Sequence, residues 1–167
     1  MIIRQANEED INVLINIIRN SYRSVAKKFE LTKENCPKFL GFCAKERVKI
    51  DFEKGFQYYI LEQDHQPIGC IALEKASQDM CYLGRLAVLP GQRKKGYGKM
   101  LVNHLFEQAR GAGVGKVEIG MISKDRKLKN WYEKLGFVQT GTKKFDHLIF
   151  EVAFLSADIT KSNRNSS

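Results

Sequence analysis

The sequence predicts an α/β (α+β) fold, a mixed sheet flanked by helices, on three observations. The elements run as a helix-rich opening, three strand-like runs, a helix, a strand, a helix and a closing pair of strands. The helical segments carry apolar residues at three- and four-residue spacing, whereas the strand-like runs are short and rich in aromatic and β-branched residues. No internal repeat or linker interrupts the series, so one domain over residues 1–155 with a polar tail at 156–167 is the expected organisation.

Asn7 is placed to cap the first helix, with Glu8, Glu9 and Asp10 in its first turn and Ile11, Leu14, Ile15 and Ile18 on one face. A second helix is expected to start at Thr32 or Asn35, with Pro37 in its first turn and Phe39, Leu40 and Cys43 facing inward. Residues 56–62 and 68–74 read as a hairpin around Gln63-Asp64-His65-Gln66, and 80–89 as a third pairing strand after the Ser77-Gln78-Asp79 turn. From Lys99 the positions Leu101, Val102, Leu105, Phe106 and Ala109 make one apolar stripe, closed by Gly111. Residues 117–122 are a short buried strand. Leu128, Trp131, Tyr132 and Leu135 form the inner face of the last helix, with Gly136 just past its end. Residues 137–142 and 147–155 close the sheet.

A composition of 43% hydrophobic and 28% charged residues is that of an ordinary globular protein, which places any disorder at the ends. The Met1-Ile2-Ile3-Arg4 start lacks the apolar stretch of a signal peptide and no run is long enough to span a bilayer, so a cytoplasmic protein without a membrane partner is expected. Cys36, Cys43, Cys70 and Cys81 show no C-x-x-C pairing and read as reduced thiols, and no metal is called for. The formal charge of +9 raises a nucleic-acid partner, but the basic residues gather at 93–99 and 124–134 without a recognition helix, zinc or aromatic-interleaved RNA motif. That distribution favours a smaller anion.

The chemistry lies in Leu86-Ala87-Val88-Leu89-Pro90-Gly91-Gln92-Arg93-Lys94-Lys95-Gly96-Tyr97-Gly98-Lys99, where an apolar strand passes through a glycine-bearing basic loop into an amphipathic helix. Glycines let the backbone approach a ligand, and the first N–H groups of the helix point at an anion. A P-loop is excluded because Gly98-Lys99 is followed by Met100, and a dinucleotide fingerprint because Gly111, Gly113 and Gly115 follow the helix instead of opening it.

Arg93-x-x-Gly96-x-Gly98, three residues after Pro90 of a Leu-Ala-Val-x-Pro strand end, resembles the coenzyme A loop of the GNAT superfamily of N-acetyltransferases. Trp131-Tyr132-Glu133-Lys134-Leu135-Gly136-Phe137 is similar to that family's C-terminal signature, at the expected distance downstream. The resemblance covers about residues 80–140 and implies a mostly antiparallel sheet with splayed fourth and fifth strands. It implies acetyl-CoA as cosubstrate. The pantetheine arm would pair with the main chain of Leu86, Ala87 and Val88 like an added strand, and Arg93, Lys94, Lys95, Gly96, Tyr97, Gly98 and Lys99 would cradle the phosphates.

By the same resemblance Tyr132 is the general acid for the departing thiolate. The base stays open: Tyr82 and Gly120 stand where relatives carry glutamates, leaving Glu74, Asp79, Glu118, His147 or a water relay. Asp125 replaces a pantetheine-binding asparagine and cannot donate as a carboxylate. The reaction expected is acetyl transfer to a primary amine of a small molecule or peptide, held by residues 21–55 and the loop before His147, by a monomer or homodimer. A non-catalytic acyl-CoA-binding module is the alternative.

Overall fold

The computed structural model describes residues 1–160. In chain order the elements are β1 (Ile2–Gln5), α1 (Ile11–Lys28), α2 (Lys45–Glu53), β2 (Gln57–Gln63), β3 (Gln66–Lys75), β4 (Met80–Val88), α3 (Tyr97–Gly111), β5 (Lys116–Ile122), α4 (Arg126–Lys134), β6 (Val138–Lys144) and β7 (Glu151–Asp158). The strands form one seven-stranded sheet in the order β1-β2-β3-β4-β5-β7-β6. The β4–β5 pair is parallel, over Met80↔Lys116, Cys81↔Val117 and Tyr82↔Glu118, while β1–β2, β2–β3, β5–β7 and β6–β7 are antiparallel. The mixed, mostly antiparallel sheet flanked by helices is the fold class read from the sequence.

The chain divides into two compact units, one of Met1–Glu74 with Leu83–Leu105, the other of Lys75–Tyr82 with residues from Phe106 onward. In the first, α1 lays Ile11, Leu14, Ile15, Ile17 and Ile18 against Tyr58, Ile60, Cys70, Ala72 and Ala87. Each leucine or isoleucine side chain so withdrawn from water contributes on the order of 1.5–3 kcal/mol before the entropy of ordering it. In the second, β5 and β7 alternate so that Val117, Ile119, Met121, Ala153, Leu155 and Ala157 are buried, and the Phe106 and Phe137 rings lie 5.7 Å apart.

Three local expectations change. Asn7 makes a capping box, accepting from the Glu9 N–H while Asp10 accepts from the Asn7 N–H, but it caps a 3-10 turn at Glu8–Asp10 that precedes α1. No helix starts at Thr32 or Asn35. Their side chains and amides bond reciprocally, Thr32 N–H to Asn35 Oδ1 at 2.8 Å and Asn35 N–H to Thr32 Oγ1 at 3.1 Å, closing a turn. Pro37 disfavours the helical region for the residue before it, and a 3-10 turn at Leu40–Phe42 leads to α2. Finally, His147 lies in the turn after β6, not at a strand start. β7 continues through Asp158, with Ile159 buried behind it, and residues 161–167 of the expected tail lie outside the described residues.

Candidate active site

In the first unit the residues of interest begin where β4 ends. The Leu89 N–H donates back to the Ile68 carbonyl of β3 at 2.9 Å, so strand alternation turns the main-chain groups of Leu86 and Val88 toward the other edge. β3 is brought close by Gly69, where a Cβ would stand 2.9 Å from the Ala87 carbonyl oxygen and 3.1 Å from Leu101 Cδ1. The two outward carbonyls are engaged by side chains. Tyr22 of α1 donates its hydroxyl to the Leu86 carbonyl at 2.7 Å, and Arg93 Nε donates to the Val88 carbonyl at 3.3 Å. Burial pushes the Tyr22 hydroxyl well above the usual phenol range, so it stays a neutral donor.

Arg93 also spans back to α1, through Nη1 to Ser24 Oγ at 2.9 Å and Nη2 to the Ser21 carbonyl. Its guanidinium is therefore a strut between helix and strand end. Beyond it Lys94 and Gly96 both take left-handed backbone conformations, φ +63° and +82°, which turn the chain into α3. A Cβ on Gly96 would meet nothing within 4 Å, so the demand there comes from the backbone and not from crowding. The Met100 N–H donates to the Gly96 carbonyl at 3.1 Å, placing the amides of Tyr97, Gly98 and Lys99 ahead of the helical ladder. Lys94, Lys95 and Lys99 are exposed around them, with Lys95 Nζ 3.2 Å from Gln92 Oε1 and the Tyr97 hydroxyl 3.3 Å from Gln63 Oε1. A cationic loop with unladdered amides fits a polyanion.

In the second unit Tyr132 is buried on α4, its ring edge-on to Trp131 at 5.0 Å and to Phe137 at 5.3 Å. The amides of Leu135 and Phe137 both donate to the Tyr132 carbonyl, and Gly136 ends the helix at φ +102°. Asp125 caps α4: its side chain accepts from the Leu128 N–H at 3.2 Å. Among the carboxylates left open as bases, Glu118 is half-buried on β5 opposite Tyr82 and Asp79 is exposed in a turn, while Glu74 is half-buried near the end of β3 in the first unit. His147 is exposed, 5.6 Å from the Phe145 ring.

Sequence reasoning missed Tyr22, Ser24 and Gly69. Tyr22 continues the stripe of Ile11, Ile15 and Ile18 at helical spacing, a signal that could have placed it inward. Nothing local announces that Gly69 meets β4. The four cysteines are free and buried, and burial pushes the Cys81 thiol up to about 11. Among the described residues no cluster of His, Cys, Asp or Glu could hold a metal ion, and no helix is long and apolar enough to cross a membrane.

The chain matches the model of the acetyltransferase (GNAT) family over residues 22–137. It belongs to the GNAT acetyltransferase family. The match takes in Tyr22, the β4 end, the loop and Tyr132, and stops at Phe137. A curated relative, the amino-acid acetyltransferase of Neisseria meningitidis serogroup A, is 30% identical over 82 residues, 48% of this chain, and the chain covers 18% of that protein's length. Among solved structures, the PaiA N-acetyltransferase of Thermoplasma acidophilum in complex with coenzyme A aligns with a TM-score of 0.77 at 17% identity, over 95% of this chain and 99% of that one. The ribosomal-protein-S18-alanine N-acetyltransferase of Escherichia coli gives a TM-score of 0.77 at 15% identity, over 99% and 98% of the two chains. At such identities the two structures testify to the fold alone.

Proposed function

We propose that the protein is an acetyl-CoA-dependent N-acetyltransferase whose acceptor is a primary amine of a small molecule or peptide. The observation that carries this reading is the β4-to-α3 turn, where the left-handed Gly96 delivers an exposed basic loop into the N-terminus of a fifteen-residue helix. Family membership supports acetyl transfer, the Thermoplasma relative's complex supports coenzyme A as the carrier, and the Neisseria relative's name supports an amine acceptor.

On this reading the amides of Tyr97, Gly98 and Lys99 and the side chains of Lys94, Lys95 and Lys99 hold the phosphates. Because the Leu86 and Val88 carbonyls already accept from Tyr22 and Arg93, the pantetheine arm meets the amides of that edge, with Ala87 as core. The acceptor nitrogen bonds to the acetyl carbon as the carbon–sulfur bond breaks. Tyr132 gives its proton to the sulfur. An alkylammonium of pKa ~10.4 must first lose a proton, a deficit on the order of 4 kcal/mol at neutral pH, through Glu74, Asp79, Glu118, His147 or water. We further propose a single cytoplasmic domain working as a monomer or homodimer with reduced thiols and no nucleic-acid partner.

The test is coenzyme A release from acetyl-CoA across a panel of amines. Amine-dependent release is expected. Saturable acetyl-CoA binding with no release would instead establish the non-catalytic acyl-CoA-binding module.

A further inference from the structure

We propose that Asp51 is a positioning residue: through Arg85 it holds β4 in the kinked path that presents Leu86, Ala87 and Val88, and so sets how tightly the coenzyme pairs there. The inference rests on the coenzyme reading of that strand end and adds to it residues that no motif contains.

Arg85 takes φ +54° inside a strand, a conformation that an L-residue with a Cβ adopts only when its surroundings impose it. Those surroundings are explicit. Nε and Nη2 of Arg85 donate to the two carboxylate oxygens of Asp51, each at 3.3 Å, and the guanidinium lies over the Phe56 ring, 5.5 Å from its centroid. The Arg85 carbonyl accepts from Cys70 Sγ at 3.4 Å, so main chain and side chain are held together. Asp51, on α2, is 4% exposed and also accepts the Tyr58 hydroxyl at 2.5 Å. Both carboxylate oxygens thus have donors within the protein.

A buried ion pair is a weak means of stabilising a fold, since apolar side chains of similar volume do as well or better. Its position supplies a different reason. It grips the residue whose left-handed backbone kinks the strand immediately before Leu86, and the next carbonyl along is gripped by Tyr22. Burial and the neighbouring carboxylate push the Tyr58 hydroxyl up, so it stays protonated and continues to donate.

The test separates backbone shape from loss of the pair. In an Asp51→Asn background, which leaves no unpaired buried charge, Arg85→Ala and Arg85→Gly both lack the guanidinium, but only glycine takes the left-handed conformation without strain. Coenzyme A affinity by calorimetry should be at least about fivefold weaker for the alanine double variant than for the glycine one, whatever their melting temperatures. Equal affinities would overturn the proposal and leave a structural ion pair. Should these variants not fold, Arg85→Lys keeps the charge and loses the fork. Faster amide exchange at Leu86 and Val88 with weaker coenzyme binding is then expected, and unchanged exchange and affinity overturn the proposal. Failure of the wild-type protein to bind coenzyme A would instead refute the coenzyme reading itself.

Discussion

At the end of β4 the groups proposed to meet the coenzyme are main-chain amides, and polar side chains hold the same stretch: Tyr22 on Leu86, Arg93 on Val88, Asp51 through Arg85. On α4 the group proposed to act is a side chain, Tyr132, and the rings of Trp131 and Phe137 pack edge-on against it. The difference follows from what each surface must hold still. A strand edge wobbles by rotation of its peptides, which hydrogen bonds to carbonyls restrain, whereas a tyrosine wobbles about χ1 and χ2, which edge-on rings restrain. Substitutions in the first region should therefore act on coenzyme affinity, and those in the second on the chemical step.

The largest effect expected is that of Tyr132→Phe. Loss of the hydroxyl removes a proton donor while the ring keeps its contacts with Trp131 and Phe137, so turnover should fall about 10- to 1,000-fold with coenzyme affinity little changed. Single-turnover rates with a good amine acceptor check it. Turnover within about twofold of wild type would make Tyr132 a packing residue and break the contrast from that side.

Next comes Gly96→Val. A β-branched residue at φ +82° is strained even though its Cβ has room, so the loop must rearrange and coenzyme A binding should weaken by about tenfold or more. Lys94→Ala should cost about threefold or less, because an exposed lysine contributes a screened charge. Calorimetric titration of both variants decides. The reverse order would show that side-chain charge dominates the loop.

This loop was legible in the sequence because glycine spacing and basic residues are local signals, and the same holds for the Trp131 to Phe137 signature and for the strands and helices with clear periodicity. The braces were not legible. The resemblance places Arg93 in the phosphate cradle, and nothing local announces that its guanidinium also bonds Ser21, Ser24 and Val88, partners up to 72 positions away in the chain. Asp125 looked like a substituted pantetheine ligand and serves as a helix cap, a role that an aspartate three residues ahead of an apolar stripe can signal. α2 stayed hidden because it buries little beyond Val48 and Asp51 and so carries no stripe. Thr32 and Asn35 bond reciprocally in the manner of the Asn7–Asp10 capping box, and the Cys36 N–H donates to the Thr32 carbonyl at 2.9 Å, but the helix expected there does not go beyond this one turn because Pro37 disfavours the helical region at Cys36.

Arg93→Ala tests whether Arg93 acts as a strut or as a phosphate ligand. A strut acts on the strand edge, so its loss should raise the KM of acetyl-CoA and of acetyl-pantetheine alike, by about fivefold each, the order of one partly exposed charged hydrogen bond. A phosphate ligand would matter only for the substrate that has phosphates. Steady-state kinetics on the two thioesters separate the cases, and a change confined to acetyl-CoA would return Arg93 to the cradle.

The smallest effect is expected far from either region. Arg4 forks onto Asp10 at 2.9 and 2.8 Å, the same chemistry as the braces of β4 but at the start of the chain, and the Asp10 carboxylate also closes the Asn7 capping box. The hydrogen bonds from Arg4, aided by the Asn7 N–H, hold the Asp10 carboxyl below its usual range. A group whose folded pKa is depressed stabilises the protein above its unfolded value and loses that contribution as pH falls through the folded one. Asp10→Asn should therefore destabilise by about 1 kcal/mol at neutral pH, a figure discounted for the exposure of Arg4, and the gap to wild type should shrink from about pH 4 downward. Urea unfolding at neutral and acidic pH measures it. An equal gap at both would mean that the cap's geometry and not its charge matters. The KM for acetyl-CoA should stay within about twofold of wild type, because this brace holds none of the residues that the proposed function assigns to the coenzyme. A larger shift in KM would show that polar bracing anywhere in the first unit reaches the coenzyme, and the special standing given to Tyr22, Arg93 and Asp51 would be lost.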